Sequence, residues 1–130
     1  MSRVLVADDD KDIRETLRAV LEDAGYEVIE AADGKVALNV LHKGNERMVV
    51  VLDLQMPKKT GVEVIQDIVE QQRLASRYAF IVITANTQTL PLSFVNLLTE
   101  LHAPLITKPF DIDPLLAAVA NAEGRLEAGG

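Results

Sequence analysis

The 130-residue chain has no cysteine, which excludes a disulfide framework and a thiolate metal site and is consistent with a reducing cytosolic setting. Long apolar runs are missing too. The aliphatic stretches end after a few residues, far short of a bilayer crossing, so no membrane insertion is expected. The N-terminal MSRVLVADDD turns acidic where a signal peptide would carry its apolar stretch, which predicts a cytoplasmic chain. Positive charge is scarce: 13 Lys and Arg against 20 Asp and Glu give a formal net charge of −7. With no basic cluster to offset it, such a surface repels a phosphate backbone, and direct nucleic-acid binding is not expected. There is also no internal repeat and no low-complexity linker. The length suits one domain able to bury its core without staples.

What is present is an alternation of short apolar blocks and helical periods. RVLVA (3–7) reads as a strand, followed by a helix with Ile13, Leu17, Val20, Leu21 and Ala24 at helical spacing and Gly25 where a C′ residue belongs. EVIEA (27–31) is a second strand, and Asp33-Gly34 opens a helix with Val36, Ala37, Val40 and Leu41 on one face, ended by Gly44-Asn45. MVVVL (48–52) is apolar throughout, as a strand covered on both faces would be. A third helix starts near Gly61 with Val64, Ile65, Ile68 and Val69 as its stripe, and the polar QQRLASR leads into a fourth strand, AFIVIT (79–84). Pro91 suits the first turn of a fourth helix carrying Phe94, Leu97, Leu98 and Leu101. PLIT (104–107) is a fifth strand, and Asp113-Pro114 starts a fifth helix with Ile112, Leu115, Leu116 and Val119 inward. Residues 124–130, ending in EAGG, are expected to form a flexible tail after a domain spanning 1–123.

Strict strand–helix alternation predicts an α/β fold with a parallel sheet between two helical layers. Right-handed crossovers suggest the flavodoxin-like (βα)5 three-layer sandwich of strand order 2-1-3-4-5, although the pattern does not itself fix the order. Such sheets bind ligands at the carboxyl ends of their strands. There the sequence puts Asp8 and Asp9 after strand 1, Asp53 after strand 3, Thr84 at the end of strand 4 and Lys108 after strand 5. Taken alone, DDDKD reads as a solvated acidic turn opening a helix. In one pocket, however, three carboxylates repel one another unless they share a cation. An open, all-oxygen site without His or Cys favours Mg²⁺ over zinc. With the ion in place Asp53 can act as a nucleophile, while Lys108 and Thr84 offer the positive charge and hydroxyl that a phosphoryl group needs.

The ordered set VLVADDD, VLDLQMPKKTG, VITA and TKPF resembles the receiver domain of two-component response regulators over nearly the whole chain. The resemblance implies that Asp53 is the phosphoacceptor. It makes Asp8, Asp9 and Asp53 the metal-binding acids, Asp9 directly and Asp8 through water, with the backbone carbonyl of Gln55 as a further ligand to Mg²⁺ and Mn²⁺ able to substitute. Lys108, Thr84 and the backbone of Ala85 would contact the phosphoryl group, and the Lys108–Pro109 peptide would be cis. Gln55 and Asn86 would tune the phosphoryl lifetime. The implied donor is a histidine kinase or phosphotransfer protein, and the output partner would bind the face of helix 4, strand 5 and helix 5. The domain would then be a signalling phosphoacceptor, not an enzyme, capable only of self-phosphorylation and slow self-dephosphorylation.

The loop after Asp53 must turn tightly into a helix, a turn assigned to Pro57 and Gly61, with Gly61 supplying the conformational freedom. Met56 is expected simply to fill a core gap. Two features depart from the family. Leu105 stands where receiver domains usually carry the Tyr or Phe that acts with Thr84 as a switch, and leucine has no aromatic swing or polar tip. The segment from Thr84 to Lys108 is also longer than usual, with His102-Ala103 before strand 5 and Asn86-Thr87-Gln88-Thr89 as a polar loop expected to be mobile without phosphate. His42, His102, Tyr26 and Tyr78 are expected to be exposed or to cap elements. Two other readings compete. An Asp-nucleophile phosphatase of the dehalogenase type wants an acid where Gln55 stands, and a cap domain for which the chain has no room. A receiver-like interaction module that is never phosphorylated has no need of Asp8, Asp9, Asp53, Thr84 and Lys108 together. No output domain follows the last helix, so both a stand-alone regulator and a receiver cut from a larger protein remain open.

Overall fold

The computed structural model describes residues 2–128. Five parallel strands, β1 (Arg3–Ala7), β2 (Glu27–Ala31), β3 (Met48–Asp53), β4 (Tyr78–Thr84) and β5 (Leu105–Thr107), form one sheet in the order β2-β1-β3-β4-β5. The helices are α1 (Lys11–Asp23), α2 (Gly34–Lys43), α3 (Gly61–Val69), α4 (Gln72–Ala75), α5 (Leu92–Glu100) and α6 (Ile112–Ala128). The helices predicted fourth and fifth are thus α5 and α6. The flavodoxin-like three-layer arrangement follows from how the strands divide their side chains. Val49 and Val51 of β3 point to the layer holding Leu17 and Leu21 of α1 and Leu115 and Val119 of α6. Met48, Val50 and Leu52 point to the opposite layer, with Leu41 of α2, Ile65 of α3 and Phe94 of α5. Because both faces are covered, every residue of β3 and β4 is buried, as their unbroken apolar runs require.

Several local expectations are corrected by packing. Val36 is 40% exposed, and Leu38 takes its place on the buried face of α2 beside Ala37 and Leu41. QQRLASR is not simply a polar connection, for it contains α4, whose Leu74 is buried. Tyr78 belongs to β4 and is buried, its hydroxyl donating to the Leu41 carbonyl at 2.6 Å. Tyr26 is buried as well, behind the end of α1. His42 is exposed as expected, yet its Nε2 lies 2.9 Å from Asp67 Oδ1 on α3. Helix α6 continues to Ala128 and buries Leu126, so residues 124–128 are helical, while Gly129 and Gly130 lie outside the described residues. Among the described residues no helix is long and apolar enough to cross a membrane.

The turn from β3 into α3 is built differently from its sequence reading. The left-handed residue is Lys58, at φ 68°, and not Gly61. Glycine is needed at 61 for space instead: a Cβ there would come within 2.5 Å of the Asp53 carbonyl oxygen and 2.7 Å of Leu54 Cα. The Gly61 N–H donates to the Leu54 carbonyl at 3.1 Å, which draws the start of α3 against the end of β3. Met56 fills the core beneath this turn.

Candidate functional site

Parallel pairing brings the carboxyl ends of β1, β3, β4 and β5 to one edge. Asp8 and Asp9 follow β1, Asp53 is the last residue of β3, Thr84 the last of β4, and Lys108 follows β5. One carboxylate oxygen from each of Asp8, Asp9 and Asp53 lies within 4.8 Å of the others. Lys108 Nζ bridges two of them, 3.0 Å from Asp8 Oδ2 and 3.2 Å from Asp53 Oδ2. Its backbone N–H donates to the Thr84 carbonyl at 2.8 Å, and the Lys108–Pro109 peptide is cis.

The four acids of DDDKD have separate tasks. Asp10 is the N-cap of α1 and accepts from the Asp12 and Ile13 N–H groups at 2.9 and 3.3 Å. Asp12 lies in the first turn, where the helix dipole favours a negative charge. Asp9 is exposed, and Asp8 is buried at 1% exposure. The capping and cation-binding readings of this segment therefore apply to different residues. Asp8 Oδ1 accepts from the Asp10 N–H at 2.9 Å, whereas buried Oδ2 has no hydrogen bond of good geometry and forms an ion pair with the Lys108 ammonium at 3.0 Å.

Asp53 is 2% exposed, with Oδ1 accepting from the Gln55 N–H at 3.0 Å. Burial pushes its carboxyl above the ordinary value, opposed by that N–H, reinforced by the Asp8 charge and opposed again by Lys108. Burial pulls Lys108 down, but its bonds and charges from Asp8 and Asp53 outweigh this and raise it. Three carboxylates against one ammonium leave two negative charges. A buried carboxylate oxygen held only by an ion pair, a hard all-oxygen donor set and this charge deficit together fit a divalent cation.

The remaining site residues are not all drawn into the cluster. The Thr84 hydroxyl is engaged by the next loop, donating to the Asn86 carbonyl and accepting from its N–H, both at 3.2 Å. Ala85 and residues 86–89 are exposed, with a local bond from the Gln88 N–H to Asn86 Oδ1 at 3.0 Å. Leu105 pairs with Val82 and lies half-buried against the α2–α3–α5 layer. An apolar groove of about 560 Å³ opens beside Lys108, with Ile13, Leu17, Phe110 and Ile112 in its walls. Sequence reasoning missed Arg14, whose Nη1 donates to the Asp8 carbonyl at 2.7 Å. A basic residue on the first turns of α1, with Glu30 on the neighbouring strand, was the available signal.

The response regulator receiver domain family matches residues 4–120. The chain belongs to that family. Receiver domains of this kind serve two-component systems, and Mg²⁺ binding at an acidic pocket is typical of them. This receiver domain is similar to a CheY-like receiver domain protein from Methanospirillum hungatei, with a TM-score of 0.83 at 30% identity over 98% of both chains. It is also similar to TrrA of Thermotoga maritima, crystallised in complex with Mg²⁺–BeF, with a TM-score of 0.75 at 32% identity over 94% of this chain and 99% of that one. Among curated relatives, CcdB of Bacillus subtilis is 37% identical over 126 residues, 95% of this chain and 99% of that protein. The transcriptional regulator DltR of Streptococcus agalactiae is 37% identical over 90% of this chain but only 50% of its own length. The chain thus spans about half the length of such regulators.

Proposed function

We propose that this receiver domain takes a phosphoryl group from the phosphohistidine of a histidine kinase or phosphotransfer protein onto Asp53, in the cytoplasm. A carboxylate oxygen of Asp53 forms the new O–P bond as the P–N bond to the donor imidazole breaks, and the imidazole leaves with the electron pair. Asp8, Asp9, Asp53 and the Gln55 carbonyl would hold Mg²⁺, or Mn²⁺ in its place. The bound ion supplies charge neutralisation for the phosphoryl oxygens. Lys108 exchanges its contact with Asp53 Oδ2 for a phosphoryl oxygen, and the N–H of Ala85 donates to another. The apolar groove beside Lys108 gives the donor protein a surface on which to seat. Hydrolysis of the acyl phosphate returns Asp53 to its starting state, at a rate tuned by Gln55 and Asn86. The protein is therefore its own substrate and not an enzyme acting on others.

The output follows from the Thr84 hydroxyl. Unphosphorylated, it is bonded to Asn86; an arriving phosphoryl oxygen is a stronger acceptor, and a move toward it pulls on the loop ahead of α5. Leu105, paired with Val82 two residues before Thr84, would take the place of a switch residue, and the face of α5, β5 and α6 would present the changed surface to a partner. The observation that carries this reading is the bridged pair of carboxylates, with Lys108 between Asp8 and Asp53 at the sheet's edge. Incubation with Mg²⁺ and acetyl phosphate is expected to add one phosphoryl group by mass, lost in Asp53→Ala and Asp53→Asn. No gain in the wild type overturns the reading in favour of a receiver-like module that binds partners without phosphorylation.

A further inference from the structure

Arg14 lies outside the acid cluster but grips the backbone that carries it. Its Nη1 donates to the Asp8 carbonyl at 2.7 Å, and its Nε donates to Glu30 Oε1 on β2 at 3.2 Å. Arg18, one turn further along α1, also pairs with Glu30 and donates to the Val28 carbonyl at 2.8 Å. Asp8 has two other fixed atoms: its N–H donates to the Ala31 carbonyl at 3.1 Å, and Oδ1 accepts from Asp10 at 2.9 Å. Oδ2 makes no hydrogen bond and is held by the Lys108 ammonium at 3.0 Å. Asp8 and Asp9 share the peptide whose carbonyl Arg14 holds. The bond from Arg14 fixes the orientation of that peptide, and with it the angle at which the chain leaves β1 and carries Asp9 toward the cluster.

We propose that Arg14 is a positioning residue for cation binding, fixing the Asp8–Asp9 peptide while Glu30 fixes its guanidinium. This rests on the proposed role of Asp8, Asp9 and Asp53 as Mg²⁺ ligands. Charge alone predicts the opposite sign, since a guanidinium near the acids repels a divalent cation and its removal should tighten binding. Arg14 and Arg18 allow the two effects to be separated. Both are on α1, both pair with Glu30, and Arg14→Met and Arg18→Met remove the same charge, but of the two only Arg14 holds the Asp8 carbonyl.

The test is Mg²⁺ affinity by isothermal titration calorimetry for wild type, Arg14→Met and Arg18→Met, with metal-free stability measured by urea unfolding. Positioning predicts about tenfold weaker binding in Arg14→Met, the loss typical when the partners behind metal ligands are removed. It predicts unchanged or slightly tighter binding in Arg18→Met, even where the two variants lose similar metal-free stability. If Arg14→Met does not fold, Glu30→Gln carries the test: it slackens the guanidinium and is expected to weaken Mg²⁺ binding severalfold. Wild-type affinity in Arg14→Met, or in Glu30→Gln where that arm is used, overturns the proposal and leaves the Mg²⁺ reading intact. An equal loss in Arg18→Met does the same. No binding by the wild type overturns both.

Discussion

Asp53 ends a strand in which every residue is buried, and its charge has a cost that shows in the direction of its pKa. The folded state binds a proton at Asp53 more tightly than the unfolded chain, where the ordinary value is about 3.9. Between that value and the raised folded one, the folded state holds more protons. The contribution of Asp53 therefore makes the metal-free protein more stable as pH falls through that window and less stable above it. Asp53→Asn removes the charge while keeping an acceptor for the Gln55 N–H, so metal-free Asp53→Asn is expected to melt above wild type at neutral pH. A lower melting temperature, followed by circular dichroism, would show that the Lys108 contact outweighs burial. The same residue thus opposes stability in the free chain and supplies the nucleophile in the proposed reaction.

Element ends show how local chemistry is chosen. Helices α1 and α5 finish in the same double hydrogen-bonded C-terminal turn. In α1 the N–H groups of Gly25 and Tyr26 donate to the carbonyls of Glu22 and Leu21, both at 3.0 Å. In α5 those of His102 and Ala103 donate to Thr99 and Leu98 at 3.1 and 2.9 Å. Gly25 takes the left-handed position at φ 98° and His102 at φ 55°. In both, the following residue packs back on the helix, and this is what buries Tyr26 against Leu21. At its start α3 carries a reciprocal cap: the Thr60 hydroxyl accepts from the Glu63 N–H at 3.2 Å, and the Thr60 N–H donates to Glu63 Oε1 at 3.0 Å. Thr60→Ala is expected to cost about 1 kcal/mol in urea unfolding. The bond from the Thr60 backbone holds Glu63 below the ordinary glutamate value, so the charge stabilises the fold above that value, and the benefit is lost as pH falls below it. Glu63→Gln keeps an acceptor without the charge. Its stability deficit relative to wild type, seen at neutral pH, should shrink toward zero below about pH 4. A deficit independent of pH would assign the effect to packing.

For the molecule as a whole, the proposed cation binds only where the sheet has assembled all its ligands, so it stabilises the folded state by mass action. At a hundredfold excess over its dissociation constant, the gain is about 2.7 kcal/mol. Mg²⁺ is expected to raise the wild-type melting temperature in a concentration-dependent way that a chelator reverses, with a smaller rise in Asp9→Asn. Equal rises in wild type and Asp9→Asn would place the ion elsewhere.

Much of this was written locally. The alternation of apolar blocks, the helix start at Asp33, whose Oδ1 accepts from the Val36 N–H at 2.9 Å, the glycine after α1 and the strand-end positions of Asp8, Asp53, Thr84 and Lys108 all depend on neighbours a few residues away. For that reason the sequence by itself determined the alternation of five strands with five of the six helices, the α/β class and the candidate acids. Tertiary structure decided the rest. It chose which aspartate of DDDKD caps a helix and which is buried, put the left-handed turn on Lys58, and buried two tyrosines that local pattern left outside. It also joined Lys108 to Asp53, 55 residues apart, and Arg14 to the backbone of Asp8. Those contacts depend on strand order and register, which are set by how two helical layers close over both faces of the sheet, and no short window of sequence contains that information.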